Sequence, residues 1–242
     1  NADFSTIFIV GNSNTLLKTY YNSNTNPLLS GAGSWTNQTN NQRSYLLSSS
    51  SKNSTLVVGE GGIIFRSSDS TNWYTSFANT TATHSSIHFP SNNIGYIVSH
   101  TGKVAKSSNA GVSWSSQTNP YGTGNLNSVH FFNDTYGIAC GDSGNLIWTE
   151  NGSSWNKHQD PFGSNWTSNR LNAVYFVNHN SFGSTKIAVG NSGVILTSQS
   201  SKYRGINTVD SLQTLGTLTP GSYISVSQTS NTGTGTGALF NV

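Results

Sequence analysis

Charge is what this 242-residue chain has least of: Asp, Glu, Lys and Arg together make up 8% of it. The formal net charge of +3 rests on few groups, and no cluster of Lys or Arg occurs along the chain. Nucleic-acid binders gather basic residues on one face or one helix, so no such partner is expected. A single cysteine, Cys140, excludes an internal disulfide framework. Its apolar context, Gly137-Ile138-Ala139-Cys140, predicts a buried, unreactive thiol. No apolar run approaches the roughly 20 residues that span a bilayer, so membrane insertion is not expected. A signal-peptide pattern is missing from the start and the first residue is Asn, so the chain is expected to be processed, trimmed or part of something longer.

Asn, Ser, Thr and Gly together fill more than half of the chain, a polarity that often means disorder. Disordered chains, however, are usually charged and poor in aromatics, whereas here aromatics reach 11% and include six Trp. Many short strands joined by polar turns reconcile the two facts. Without disulfides, stability must come from packing those strands together.

A repeat organises them. Its clearest copy runs Leu126-Asn127-Ser128-Val129-His130-Phe131-Phe132, then Tyr136-Gly137-Ile138-Ala139-Cys140-Gly141-Asp142-Ser143-Gly144, then Asn145-Leu146-Ile147-Trp148-Thr149, and ends at Trp155. Related units end at Trp35, Trp73 and Trp114, and a fifth, starting at Leu171, lacks the final Trp. The Trp spacing of about 40 residues is the period of a four-stranded propeller blade. Each unit reads as strands a, b, c and d, with Val129 and Phe131, like Val174 and Phe176, alternating in strand a. The b–c turns Gly141-Asp142-Ser143-Gly144 and Gly190-Asn191-Ser192-Gly193 supply residues that tolerate the positive φ of a tight hairpin. The first unit begins within strand b, so its strand a is missing or supplied late; Arg204–Ser211 faintly echoes the start of a strand a. The spacing therefore predicts an all-β fold: a β-propeller of about five four-stranded blades over residues 1–211, then a short β-hairpin-like tail, 212–242.

The c–d turns carry a resemblance. Ser107-Ser108-Asn109-Ala110-Gly111-Val112-Ser113-Trp114 resembles the Asp-box, or BNR, motif S-x-D-x-G-x-T-W, with Asn109 for Asp and Ser113 for Thr. Ser67–Trp73 keeps the Asp but is shortened, and Thr149–Trp155 is degenerate. In that family the box folds the c–d hairpin and its Trp packs between blades, which implies structural roles for Trp35, Trp73, Trp114 and Trp155. The whole unit is similar to repeats of the photosystem II assembly factor family rather than to the WD40 type. That resemblance covers roughly residues 1–205 and implies a protein-binding platform. The tail, Pro220-Gly221-Ser222-Tyr223-Ile224-Ser225-Val226 with Thr232–Val242, is similar to an element of phage and large-virus structural proteins that forms small β-modules.

Chemistry is scarce. Sialidases share the Asp-box, but their site needs three Arg, a Tyr nucleophile and nearby acids, and the chain has only Arg43, Arg66, Arg170 and Arg204. Its acids, Glu60, Glu150, Asp3, Asp69, Asp134, Asp142, Asp160 and Asp210, mostly fit turns, so no enzyme and no cofactor are expected. Among the histidines only His84 and His88 have a ligand-like spacing, which on a regular strand puts both on one face, too far apart for routine chelation. His88 and His130 occupy equivalent strand-a positions, which points to a repeated structural role and not to a metal.

The most elaborate loops are the d–a connections Asn119–Asn125 and Asp160–Arg170. They make Tyr121, Phe162, Trp166 and Arg170 the candidate binding residues: exposed aromatics supply flat apolar platforms at low entropic cost. Trp166 and Phe162 tucked over the blade edge as plugs is an equal expectation. The tail, the low charge and the polar surface together favour a non-enzymatic structural or binding module of a virion or extracellular appendage, contacting other copies, other structural proteins, a host surface or a glycan. The alternatives are a soluble propeller scaffold for assembly of a protein complex and a glycan-binding lectin.

Overall fold

The computed structural model describes residues 4–13, 15–22, 36–38, 45–52, 54–78, 80–159, 162–179, 183–198, 212–217, 224–225 and 239–240. Trp35, Asp3, Asp160, Asp210 and the Arg204–Ser211 echo lie outside them. Among the described residues, five antiparallel sheets follow one another along the chain. The first has three strands: β1 (Phe4–Gly11), β2 (Thr15–Asn22) and β3 (Thr36–Asn37). Blade 2 is β4 (Leu46–Ser51), β5 (Thr55–Gly59), β6 (Ile64–Ser67) and β7 (Tyr74–Ser76). Blade 3 is β8 (His84–His88), β9 (Gly95–Ser99), β10 (Val104–Ser107) and β11 (Ser115–Gln117). Blade 4 is β12 (Leu126–Phe131), β13 (Gly137–Gly141), β14 (Leu146–Thr149) and β15 (Asn156–Lys157). Blade 5 is β16 (Leu171–His179), β17 (Gly183–Gly190), β18 (Val194–Ser198) and β19 (Leu212–Thr217).

Each blade is a meander, and the first strands of blades 2 to 5 lie against one another, so they are the inner strands of a β-propeller. Blade 1 has three strands because its β1 stands where the others have strand b: β1 packs on β4 as β5 does on β8 and β13 on β16. β19, within the stretch assigned from the sequence to the tail, is hydrogen-bonded to β18 as the outer strand of the last sheet. The sequence hid it because the fifth unit lacks the Trp that marks strand d elsewhere. In the tail, β20 (Ile224–Ser225) pairs antiparallel with β21 (Leu239–Phe240), as the expected hairpin does.

The apolar core is divided among the junctions. Leu56, Val58 and Ile64 of blade 2 meet Ile87, Phe89 and Trp114 of blade 3. Tyr96, Val98 and Val104 then meet Val129, Phe131 and Trp155 of blade 4, while Ile138, Cys140 and Leu146 meet Val174, Phe176 and Leu196 of blade 5. Leu16, with Phe8 and Val10, meets Leu46, Phe65 and the half-buried Trp73 between blades 1 and 2. Cys140 is fully buried between blades 4 and 5, and burial pushes its thiol up to about 12.

Two local devices set this up. In the b–c turns two successive residues have positive φ, as in Ser143 (56°) and Gly144 (70°). At Gly144 the second must be Gly, because a Cβ would collide with the Thr167 carbonyl oxygen. The second device is a bulge near the start of each inner strand of blades 2 to 5, between positions such as Leu126 and Ser128. The extra residue shifts the alternation, so Leu126, Val129 and Phe131 all point into the core.

The same bulge overturns one expectation. His84 and His88 do not share a face: His84 is fully buried beside Ser99, whereas His88 lies on the axial side with His130.

Candidate binding face

The d–a loops and b–c turns lie at one end of the blades, the a–b loops and c–d turns at the other. At the second end, polar side chains fold the turns from within. Asn109 Oδ1 accepts the Ser113 N–H at 2.9 Å, Ser107 Oγ accepts the Gly111 N–H at 2.9 Å, and Asn151 Oδ1 accepts the Ser153 and Ser154 N–H groups. Asp69 accepts the Thr71 and Asn72 N–H groups, and those bonds hold its carboxyl well below the usual range. Trp114 and Trp155 are buried at the blade junctions.

At the first end, the b–c turn of blade 4 gathers most of the candidate residues. Asp142 Oδ1 takes a salt bridge from Arg170 Nε at 3.3 Å and a hydrogen bond from Asn127 Nδ2 at 3.0 Å. Asp142 Oδ2 accepts Asn125 Nδ2 at 2.9 Å. Asn127 first, then Asn125 and Arg170, lower the Asp142 carboxyl below its ordinary value. Asn125 Oδ1 in turn accepts the Thr101 N–H at 2.7 Å, tying this turn to that of blade 3. On the radial side, Asn165 Nδ2 donates to the Ser143 carbonyl at 2.9 Å, and Asn165 Oδ1 accepts the Tyr121 hydroxyl at 2.5 Å. Lys157 Nζ stands 4.7 Å from the centre of the Tyr121 ring. Burial of that ring raises the Tyr121 phenol.

Tyr121, Arg170 and the loop carrying Trp166 thus converge on Asp142–Gly144, and the two aromatics expected to behave alike part company. Trp166 is half-buried against the core of blades 4 and 5, its Nε1 donating to His158 Nδ1 at 3.2 Å. Phe162 is 92% exposed. Sequence reasoning missed Asn125, Asn127, Asn165 and Lys157, which connect the loops. The first two stand at the start of β12, opposite a b–c turn, a placement readable from the repeat; Lys157 reaches a ring 36 residues away and left no local signal.

Among the described residues no three His, Cys, Asp or Glu gather as a metal site would need. His88 and His130 instead serve the backbone. His88 Nδ1 accepts the Phe131 N–H at 3.1 Å and His130 Nδ1 accepts the Phe176 N–H at 3.3 Å, each from the inner strand of the next blade. Ser48, Ser50, Ser86 and Ser128 do the same for the N–H groups of Ile87, Phe89, Val129 and Val174. Side-chain acceptors therefore link the inner strands of blades 2 to 5.

No family model matches the chain, and no curated protein matches it. Solved structures do. YCF48 bound to a D1 peptide is 17% identical with a TM-score of 0.57, over 81% of this chain and 66% of that one. YCF48 from Cyanidioschyzon merolae is 16% identical with a TM-score of 0.58, over 86% and 66%. The WD40 repeats of RRP9 are 10% identical with a TM-score of 0.62, over 88% and 62%. The chain spans no more than about two thirds of the length of these structures, and at such identities the likeness establishes the propeller fold alone.

Proposed function

We propose that this chain is a non-enzymatic, protein-binding propeller, a scaffold for assembly of a protein complex that takes its partner on the face around Asp142–Gly144. The observation that carries the reading is the convergence of side chains on Asp142–Gly144. Asn125 and Asn127 hold Asp142, Asn165 holds the Ser143 carbonyl and the Tyr121 hydroxyl, and this hydrogen-bonded frame carries the Arg170 guanidinium and the Tyr121 ring beside the loop that bears exposed Phe162. Aromatics and Arg above a pre-ordered polar frame are the composition of protein-recognition hot spots. The likeness to a propeller solved with a peptide bound supports the same use of the fold. The c–d turns read as degenerate Asp-boxes serve this function only by holding the opposite end, since Asn109, Asn151 and Asp69 spend their oxygens on the turns.

The test is a photo-crosslinking residue placed at Phe162, and separately at Val112, 60% exposed on the c–d turn at the opposite end. In extract of the native source, a discrete protein adduct is expected from position 162 and none from 112. Adducts from 112 alone, or none at all, would sink the proposal. A second reading, a structural module of a virion or extracellular appendage, is carried by the β20–β21 hairpin of the tail. It expects adducts between copies of this chain, and native material in which the chain belongs to a repeating assembly.

A further inference from the structure

His84, His88 and His130 stand at three consecutive blade junctions, and each is held as a neutral ring. His84 occupies the position that Leu46, Leu126 and Leu171 fill in the other blades and is fully buried. Its Nδ1 lies 2.8 Å from Ser99 Oγ. Its Nε2 makes no hydrogen bond, and the Gly62 backbone of blade 2 lies beside the ring. His88 and His130 accept backbone N–H groups of blades 4 and 5 at Nδ1, which requires that nitrogen to be bare and puts the proton on Nε2. Their rings also face each other, with centroids 4.2 Å apart, and the other side of His130 faces Tyr175 at 4.2 Å.

A second proton on either ring has nowhere favourable to go. On Nδ1 it would meet the Phe131 or Phe176 N–H head-on, turning a hydrogen bond into a repulsion. The charged groups that face His88 are His130 and Lys52, both of which oppose added positive charge. His130 is faced by His88, Tyr175 and Phe176, and His84 by Ser99 and by the Gly62 backbone, which favours a charged ring but less than burial opposes it. No carboxylate is among these groups to offset a new charge.

We propose that the junctions between blades 2 and 5 form an acid-sensitive latch: proton uptake by His88 and His130 breaks their links to the next inner strand, a charge on His84 disrupts the buried blade 2–3 junction, and the blades loosen from one another while each keeps its own ladder. Burial, with His130 and Lys52 adding to it at His88, holds the three rings at about 4, about 3 and about 4. These values lie below the ordinary histidine value, so the unfolded chain takes up protons first. The stability they confer is complete above about 6.5 and is lost progressively as pH falls from there, toward about 4 for His84 and His130 and about 3 for His88. Between pH 7 and pH 5 each histidine is expected to lower the folding constant by about 25-fold.

Hydrogen exchange on the intact chain at pH 7 and pH 5, corrected for intrinsic rates, tests this. The Phe131 and Phe176 amides should lose protection at pH 5 well before Ala139 and Ala188, which belong to ladders within blades. The variant His84→Leu/His88→Ser/His130→Ser takes residues found at equivalent positions of other blades and should lose most of the pH dependence of its unfolding midpoint between pH 7 and 5. Should that variant fail to fold, His88→Ser alone should show about one third of the effect. Equal loss of protection at all four amides, or variants as acid-sensitive as the parent, would overturn the latch.

Discussion

The Tyr96 ring lies flat on Phe131, centroids 3.6 Å apart and 8° from parallel, and its hydroxyl donates to the Asp134 carbonyl at 2.6 Å. The Gly152 carbonyl is also in reach, at 3.3 Å. One side chain of blade 3 therefore grips strand a, the a–b loop and the c–d turn of blade 4. Tyr96→Phe removes only the hydroxyl and should cost about 1 kcal/mol, whereas Tyr96→Ala opens a cavity and should cost about 3–5 kcal/mol. Denaturant midpoints at constant slope would measure both; equal losses would mean that the stacking contributes nothing.

Gln117 shows how an indole is satisfied at a junction. Its Oε1 accepts Trp155 Nε1 at 2.7 Å while its Nε2 donates to the Gly152 carbonyl at 2.9 Å. At the preceding junction the equivalent residue is Ser76, which reaches the Gly111 carbonyl but leaves buried Trp114 Nε1 without a partner. Ser76→Gln should therefore stabilise by about 1 kcal/mol, and Gln117→Ser should destabilise by about 1–3 kcal/mol. A lower melting temperature for Ser76→Gln would count against this account.

Neighbouring glycines in the blade 2 turn should respond very differently. Gly61 has φ of 68° and open space where a side chain would begin, and its counterparts are Thr101, Ser143 and Ser192, so Gly61→Ser should cost about 1 kcal/mol or less. At Gly62 a Cβ would strike the Thr80 carbonyl oxygen, and Gly62→Ala should cost several-fold more. Chemical denaturation of the pair decides it.

Phe162 and Trp166 separate platform from plug. Phe162→Ala should leave stability within about 0.5 kcal/mol, because an exposed ring contributes little to folding. Trp166→Ala should cost about 2 kcal/mol or more through its contact with the core of blades 4 and 5. In a partner-binding assay the ranking should reverse.

Cys140 should remain unmodified by a thiol reagent at pH 8 for as long as blade 4 is docked on blade 5, and react fully in denaturant. Rapid labelling of the native chain would contradict the burial of that junction.

The period of the Trp residues, the Gly-bearing b–c turns and the start of the first unit within strand b were all legible in the sequence, because each belongs to a local pattern repeated at fixed spacing. What joins the blades was not. The acceptor that meets the next inner strand is Ser at position 50 but His at 88 and 130, so it has no single residue type to recognise. The bulge that moves His84 away from His88 is likewise silent, since it needs no Gly and β8 has one apolar residue, Ile87, too few to show a break in alternation. At the candidate binding face, Tyr121 and Arg170 could be picked out as loop residues, but their meeting around Asp142–Gly144 depends on contacts between loops of different blades.

Among the described residues the core is partitioned into four clusters, each confined to one junction, and this has a mechanical consequence. Such a chain behaves as a short array of units coupled only to nearest neighbours. Stretched from its ends in an optical trap, it would yield as a succession of discrete ruptures and not as one event. A lesion such as Tyr96→Ala would lower the force of a single rupture and leave the others in place.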